Sequence, residues 1–310
     1  MIRRPPRSTQ GVSSAASDVY KRQHRYFAGL AQNLDLRTVI AVKGHEAAVA
    51  RHPWGPCGFI IPWNFPFLLC GWGIAPATAA GNTCVVKPAE DTPLSTLYVA
   101  HLAKEIGYPD GVINVIPGLG EQTGAALSEN PNLNRMSFTG SPEVGRLVAA
   151  SCGRTLIPVK LELGGKGAAV IFDDVDIDDA AEKLVGAITF HTGQVCCDAT
   201  RWLIQKNIYE DFINSATERL KAVAIGHQMD ASTQMGPVVN QAQHQRVLGY
   251  LDKGTAEGAE VLLEGGAAKV SGREGHYVKP ALLAGSLAVS YTHLRAHETR
   301  HDLVCRLLLE

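Results

Sequence analysis

The sequence predicts an α/β protein, in which a doubly wound parallel sheet is followed by a second α/β domain. Between Pro53 and Leu163, short apolar runs alternate with amphipathic runs, and glycine- and proline-rich connections join them. The same alternation continues in a second block from Gly167. Such alternation is typical of parallel sheets covered by helices, which bind their ligands at the carboxyl ends of the strands.

Each element of the first block follows from its apolar pattern. Buried strands are predicted at residues 58–61, 83–86, 112–116 and 135–138. Helices are predicted at residues 65–80, 94–106, 121–128 and 142–151. Ser141 is the expected N-cap of the last helix, with Pro142 at its first position.

The second block contains a polar loop between its first helix and its second strand. Strands are predicted at residues 168–172, 201–205 and 260–263, and helices at residues 176–190, 208–223 and 241–254. The loop runs from His191 to Asp198. Before both blocks, Thr38 to His52 predicts two strands around Lys43-Gly44, a hairpin that protrudes.

The two ends differ in character from the rest of the chain. Residues 1–23 show no apolar period, and residues 289–310 crowd histidine and arginine together. Both strings resemble translated sequencing-adapter read-through, so we expect artefactual tails and exclude them from the fold. His293, His297 and His301 have the spacing of one helix face, but we assign them to the tail and expect no metal site there.

Composition narrows the class of partner and the location. The net charge is -1 without a basic block, and no apolar run reaches the length of a membrane span. We therefore expect neither nucleic acid nor a membrane as partner. The seven cysteines show no zinc-like pairing, and the N-terminus has no secretory signal, which favours reduced thiols in the cytoplasm.

Three features carry chemistry, and each leaves two interpretations open. The segment Gly118–Gly124 is either a phosphate-binding turn or a tight turn without a ligand. Glu162, at the end of an apolar strand, is either a proton-transfer group with a raised pKa or a paired structural carboxylate. Cys196 in its polar loop is either a thiolate nucleophile or an inert thiol.

Taken together, five segments resemble the aldehyde dehydrogenase superfamily, in the order and at the spacing of that family. They are Pro62-Trp-Asn-Phe-Pro66, Lys87-Pro-Ala-Glu90, Phe138-Thr-Gly-Ser141, Leu161-Glu-Leu-Gly-Gly-Lys166 and Gly193-Gln-Val-Cys196. The resemblance covers residues from about Arg25 to about Gly285. It implies NAD(P)-dependent oxidation of an aldehyde to a carboxylic acid.

The resemblance implies a role for each matching catalytic position. Cys196 attacks the aldehyde as a thiolate, and Asn64 with the Cys196 backbone N–H forms the oxyanion hole. After hydride transfer to the nicotinamide leaves a thioester, Glu162 activates the water that releases the acid. Cys197, beside the nucleophile, either packs or protects Cys196 through a transient disulfide.

On the cofactor side, the resemblance places Lys87 and Glu90 at the adenosine ribose and Ser141 at the pyrophosphate. A carboxylate at the ribose repels a 2′-phosphate, so Glu90 favours NAD, with NADP still possible. The residues that line the dinucleotide crevice are Ile60, Ile61, Trp63 and Gly120.

The resemblance also implies a domain division and two departures from the family. Residues 24–37 and 53–163 form an incomplete NAD-binding domain, 38–52 the oligomerisation hairpin, and 164–288 a truncated catalytic domain. The chain lacks the family's outer N-terminal segment and its Glu-x-Phe-Gly-Pro segment, so we expect these 310 residues not to turn over. The complete protein is expected to be a homodimer or homotetramer.

Two other functions fit the same segments. A CoA-acylating or otherwise non-hydrolytic member of the family changes the acceptor, and Glu162 argues against it because hydrolysis needs a base there. A catalytically silent fold is the other alternative. The set of Asn64, Glu162 and Cys196 argues against it.

Overall fold

The computed structural model describes residues 21–285 and the strand Leu303–Leu309. The chain divides into two compact units between Glu162 and Leu163, where the sequence analysis placed a domain boundary between residues 163 and 164. We call the part that ends at Glu162 the first unit and the part that begins at Leu163 the second unit. Residues 1–20 and the three tail histidines lie outside the described residues.

The first unit begins with a helix and a hairpin. Residues 21–32 are helical (α1), where the sequence analysis assigned no helix. Strands β1 (Arg37–Val42) and β2 (His45–Ala50) pair antiparallel across Gly44, whose φ of 78° suits a tight turn. The hairpin therefore forms where it was predicted.

A five-stranded sheet forms the centre of the first unit. Its strands are β3 (Pro56–Ile60), β4 (Thr83–Lys87), β5 (Ile113–Val115), β6 (Arg135–Gly140) and β7 (Val159–Leu163), in the spatial order β5-β4-β3-β6-β7. Strand β3 runs parallel to β4 and β6, and β4 runs parallel to β5. The helices are α2 (Pro66–Ala79), α3 (Leu94–Glu105), α4 (Ala125–Ser128) and α5 (Pro142–Arg154). The α/β class and the parallel sheet are confirmed.

One predicted helix of this unit has a different form. Residues 121–128 were expected to be a single helix, but Gly120–Gly124 forms a π-helical turn before the one-turn helix α4. Three glycines within seven residues lower the helix propensity of this segment, which explains the irregular start.

Apolar side chains cover both faces of this sheet. On one face Phe59, Cys84 and Val86 pack against Leu69 and Ile74 of α2. The opposite face carries buried Met136 and Leu127, and a Cβ at Gly58 would lie 2.7 Å from the Met136 sulfur. Cys57, Cys70, Cys84 and Cys152 are all buried free thiols.

The second unit is built around a mixed five-stranded sheet. The seven strands of the whole unit are β8 (Ala168–Ile171), β9 (Arg201–Gln205), β10 (Glu260–Leu263), β11 (Gly266–Val270), β12 (Arg273–Lys279), β13 (Ala281–Ala284) and β14 (Leu303–Leu309). The sheet order is β10-β13-β14-β9-β8, with only β10 antiparallel to its neighbour, while β11 and β12 form a separate hairpin. The helices are α6 (Ile177–Thr189), α7 (Tyr209–Lys221) and α8 (Gln241–Ala256).

Two features of the second unit differ from expectation. Strands β11 to β13 were not predicted. Glycines and charged residues interrupt the apolar pattern of residues 264–279, and β13 is an apolar run of only four residues. Residues 289–310 were expected to take no part in the fold, yet β14 pairs between β9 and β13 through its backbone. Any sequence can supply backbone hydrogen bonds, so this pairing does not test whether residues 289–310 are an artefactual tail. That origin stays a prediction.

Helices α6 and α7 form the core of the second unit with strand β9. Trp202 and Phe212 are fully buried and meet edge to face, with ring centroids 5.5 Å apart. The Trp202 Nε1 donates a hydrogen bond to the Ala199 carbonyl at 2.8 Å. This core therefore fixes the segment that immediately precedes β9.

Candidate functional site

The predicted cofactor residues of the first unit follow the carboxyl ends of three neighbouring strands. The residues at or just after the end of β3 are Ile60, Ile61, Trp63 and Asn64. At the end of β4 they are Lys87 and Glu90, and β6 is followed by Ser141. The Ile61 N–H donates to the Lys87 carbonyl at 3.1 Å, which joins the first two groups. Asn64 and Ile61 are buried. The sheet therefore gathers these residues at the edge where parallel sheets bind ligands.

Lys87 and Glu90 form an ion pair at this edge. The Lys87 Nζ lies 2.8 Å from Glu90 Oε2, with the lysine side chain buried and the glutamate half-exposed. Burial alone would raise the pKa of Glu90, but hydrogen bonds from Lys87 and from the backbone N–H groups of Glu90 and Gly120 outweigh it and lower that pKa. Glu90 is thus held as a carboxylate between the ends of β4 and β5.

The loop after β5 and the start of α5 offer backbone N–H groups. A Cβ at Gly120 would meet nothing within 4 Å, so the space above this residue is open. Ser141 caps α5, and its Oγ accepts a hydrogen bond from the Val144 N–H at 3.2 Å. The predicted N-cap and the Pro142 start are confirmed, and the positive end of the helix dipole faces this edge.

Glu162 lies on β7 and lines a cavity of about 280 Å³ within the first unit. Its Oε1 is 3.1 Å from the Lys160 Nζ, and the side chains of Lys160 and Glu162 are 51% and 45% exposed. The Lys160 Nζ also lies 5.8 Å from the centroid of the Trp72 ring on α2. Glu162 is therefore paired with Lys160, and its place in an open cavity leaves room for water.

Cys196 lies in a strained loop of the second unit. Before it, His191 and Thr192 have φ values of 51° and 57°, and Gly193 follows with 69°. Left-handed backbone costs about 1–3 kcal/mol for a residue other than glycine, and such residues cluster at functional sites. The segment Phe190–Gly193 is therefore a tight turn inside the predicted polar loop.

Two buried side chains anchor this loop, and the sequence analysis named neither of them. The Gln194 side chain donates to the His191 carbonyl at 2.9 Å and accepts from the Val239 N–H at 3.0 Å. The Thr192 hydroxyl donates to the Gly236 carbonyl at 3.1 Å. No sequence signal identifies the partners Gly236 and Val239, since they lie more than forty residues away along the chain.

The backbone after β7 approaches the cysteine loop closely. A Cβ at Gly165 would lie 3.6 Å from the Cys196 carbonyl oxygen, and one at Gly167 only 2.8 Å from the Asp198 carbonyl oxygen. The Arg201 N–H donates to the Gly167 carbonyl at 3.1 Å. The glycines that follow Glu162 in the sequence therefore let the two loops pack backbone against backbone.

Asp198 and Cys197 place two further titratable groups beside Cys196. Burial raises the pKa of Asp198 to about 7, although the Lys166 ammonium opposes the shift, and its Oδ2 is buried without a hydrogen-bond partner among the described residues. Burial, the neighbouring Cys196 thiol and Asp198 all raise the pKa of Cys197. Cys197 is thereby held as a neutral thiol.

The predicted catalytic residues are distributed over both units. Asn64 and Glu162 belong to the first unit, and Cys196 belongs to the second.

Within residues 21–285, no group of three or more His, Cys, Asp or Glu side chains is arranged to hold a metal. Among the described helices, none is long and apolar enough to cross a membrane.

Comparison with known sequences identifies one family. A sequence profile described as the aldehyde dehydrogenase family matches residues 9–291. Mitochondrial aldehyde dehydrogenase of Homo sapiens is 41% identical over 260 residues, which cover 83% of this chain and 50% of the relative. Retinal dehydrogenase 2 of Homo sapiens is 44% identical over 262 residues, covering 84% and 50%. The chain spans about half the length of these curated relatives.

Solved structures give the same result. Betaine aldehyde dehydrogenase from Staphylococcus aureus in complex with NAD+ superposes with a TM-score of 0.90 at 33% identity, covering 97% of this chain and 60% of the other. A variant of aldehyde dehydrogenase from Bacillus cereus has a TM-score of 0.88 at 33% identity, with coverage of 94% and 59%. Sequence and fold thus agree over nearly the whole described chain.

Proposed function

Because this chain belongs to the aldehyde dehydrogenase family, we propose that its protein oxidises an aldehyde to a carboxylic acid with NAD+ through a thioester on Cys196. The single observation that carries the proposal is the loop of Cys196. Three successive left-handed residues precede this cysteine, and buried Gln194 and Thr192 anchor the loop. A strained, anchored loop that presents a partly exposed thiol suits a nucleophile better than a structural cysteine.

The donor set of the first unit fits a dinucleotide. The Glu90 carboxylate suits ribose hydroxyls and repels a 2′-phosphate, which favours NAD over NADP. The N-terminus of α5 at Ser141 and the open space above Gly120 suit the pyrophosphate. Ile60, Ile61, Trp63 and Lys87 would complete the crevice. When bound, the nicotinamide would accept the hydride.

The nucleophile and the oxyanion hole come from three groups. The Cys196 thiolate would attack the aldehyde carbon and make it tetrahedral, so that the carbon can lose a hydride. The Asn64 amide and the Cys196 backbone N–H would donate hydrogen bonds to the oxygen as negative charge develops on it. Asn64 is buried two residues before the start of α2.

Glu162 would complete the reaction by hydrolysis. Its carboxylate would take a proton from a water molecule while that water attacks the thioester, so that the acid leaves and the Cys196 thiol is restored. The half-exposed position of Glu162 at an open cavity supports this role, because water can reach the carboxylate. The presence of this base favours hydrolysis over transfer to CoA.

The acyl half of the reaction can be tested without the cofactor, in the complete protein that contains these residues. The activated ester p-nitrophenyl acetate transfers its acetyl group to the thiolate and releases p-nitrophenolate, and water then releases acetate. We expect a burst followed by slower turnover. Glu162→Gln should leave the burst and slow the turnover by about 100-fold, the usual contribution of a general base. An unchanged turnover rate would remove Glu162 from this role.

The assembly and location of the protein are also proposals. The β1–β2 hairpin exposes apolar side chains on its strands, which supports a homodimer or homotetramer built through it. Free buried cysteines fit a reducing, cytoplasmic location. The identity of the aldehyde would be set by loops around Cys196.

A further inference from the structure

We propose that Lys160 is a positioning residue for Glu162. Its ammonium group, seated against the Trp72 ring, holds the Glu162 carboxylate in one orientation for thioester hydrolysis. This inference rests on the proposed function of Glu162 and adds a residue that the five family-like segments do not contain. Three contacts within the first unit carry it.

The first contact follows from strand geometry. Lys160 and Glu162 are two residues apart on β7, so both side chains leave the same face of the sheet. The Lys160 Nζ is 3.1 Å from one carboxylate oxygen, Oε1. The other oxygen, Oε2, is then the one that can accept a proton from water.

The second contact fixes the ammonium group itself. The Lys160 Nζ lies 5.8 Å from the centroid of the Trp72 ring, so the cation is attracted to the face of an aromatic side chain. A lysine whose ammonium group already contacts an aromatic ring loses fewer conformations than a free surface lysine when it pairs with a carboxylate.

The third contact fixes Trp72. The next residue, Gly73, brings α2 so close to β3 that a Cβ there would lie 2.6 Å from the Phe59 ring. The helix therefore cannot shift along the sheet without a clash, and Trp72 keeps its place in the cavity wall. The chain of contacts runs from the core of the first unit to the Glu162 carboxylate.

Orientation matters for this base because Glu162 is 45% exposed. A half-exposed glutamate samples several rotamers, and a general base works only when its oxygen is within hydrogen-bond reach of the attacking water. The pair with Lys160 restricts this sampling, which favours hydrolysis because misplacement of a catalytic group is costly.

The test measures acetyl transfer from p-nitrophenyl acetate in two phases. Lys160→Met should leave the acylation burst unchanged and slow deacylation by about fivefold, the upper range for a half-exposed ion pair. Lys160→Arg, which keeps the charge and the aromatic contact, should restore most of the rate. A matched control is Lys183→Met. Lys183 pairs with Asp179 at 2.6 Å on α6 with both side chains more exposed (73% and 58%), and we expect no change.

A double-mutant cycle separates positioning from general destabilisation. In the Glu162→Gln background, Lys160→Met should have no further effect, because the group that Lys160 orients is gone. Suppose that Glu162→Gln slows deacylation. If Lys160→Met then has no effect, or if it slows deacylation equally in the parent and Glu162→Gln backgrounds, the role of Lys160 is wrong and that of Glu162 stands. If Glu162→Gln has no effect, both proposals fail.

Discussion

At the scale of single residues, the charge states of the Asp198 carboxyl and the Cys197 thiol beside Cys196 depend on the burial of each group. Asp198 is two residues from the proposed nucleophile, and its buried Oδ2 has no hydrogen-bond partner in the described part of the chain. The pKa of Cys197 is raised by its surroundings, which disfavours the thiolate of Cys197.

The buried Asp198 carboxyl predicts a pH-dependent stability. Its pKa rises from 3.8 to about 7 on folding, so between these values the native state keeps a proton that the unfolded state has lost. This contribution therefore weakens as pH rises from 3.8 to about 7 and stays low above. Asp198→Asn removes it, so the gain in Tm over the parent chain should be larger at pH 8 than at pH 5. Equal gains at both pH values in thermal unfolding would contradict the burial of this carboxyl.

The residues could be predicted from the sequence to different degrees. The roles of Asn64, Glu162 and Cys196 follow from short segments that resemble a family, and the Ser141 cap follows from local chemistry. Gln194 lies within one of these segments but was given no role, and Asp198 and Lys160 lie outside them. Their importance arises from partners distant in sequence, or from burial, which a single sequence does not display.

At the scale of elements, the close packing of two loops defines the cysteine region. The loop between β7 and β8 contains Gly165 and Gly167, and both face the backbone of residues 196–198. At position 167 glycine is required for close approach and not for a positive φ. Strand β7, which carries Glu162, is thus followed directly by the segment that packs against the loop of Cys196.

Gly167→Ala tests this packing. Its Cβ would lie 2.8 Å from the Asp198 carbonyl oxygen, and relieving a clash with backbone costs about 2 kcal/mol of unfolding free energy. The matched control is Gly186→Ala in helix α6, where a Cβ meets nothing within 4 Å and alanine should stabilise by about 0.5–1 kcal/mol. Urea unfolding measures both. A neutral Gly167→Ala would contradict the close approach.

Most elements were predictable because their periodicity and caps agree with their packing. Strands β9 and β10 have their predicted bounds, and α5 begins at its predicted cap. Strands β11 and β12 were missed because Gly265, Gly272 and Gly275 break the apolar alternation around them, which tertiary pairing overrides. The left-handed turn at His191 was missed because neither it nor Thr192 is a residue that favours positive φ.

At the scale of the whole molecule, the β1–β2 hairpin exposes apolar side chains on both of its strands. Val39, Ile40, Val42 and Val49 are all exposed, and Val39 is 72% exposed. Apolar side chains along an unpaired strand edge promote association with another chain.

Val39→Lys should reduce concentration-dependent self-association, measured by light scattering, because it places a charge on this strand. Its unfolding free energy should change by less than about 0.5 kcal/mol, since the side chain is mostly in solvent. Gln32→Lys, which adds the same charge in the exposed part of α1, is the control and should leave association unchanged. Equal effects of the two variants would indicate net charge and not the hairpin.

The most direct test of the account is to locate the acetyl group after reaction with p-nitrophenyl acetate in the Glu162→Gln background. Slow hydrolysis there should allow the thioester to accumulate, and peptide mass analysis locates it. The account predicts one acetyl group on Cys196, retained in Cys197→Ser and absent in Cys196→Ala. An acetyl group on Cys197, or undiminished labelling in Cys196→Ala, would contradict the assignment of Cys196 as the nucleophile.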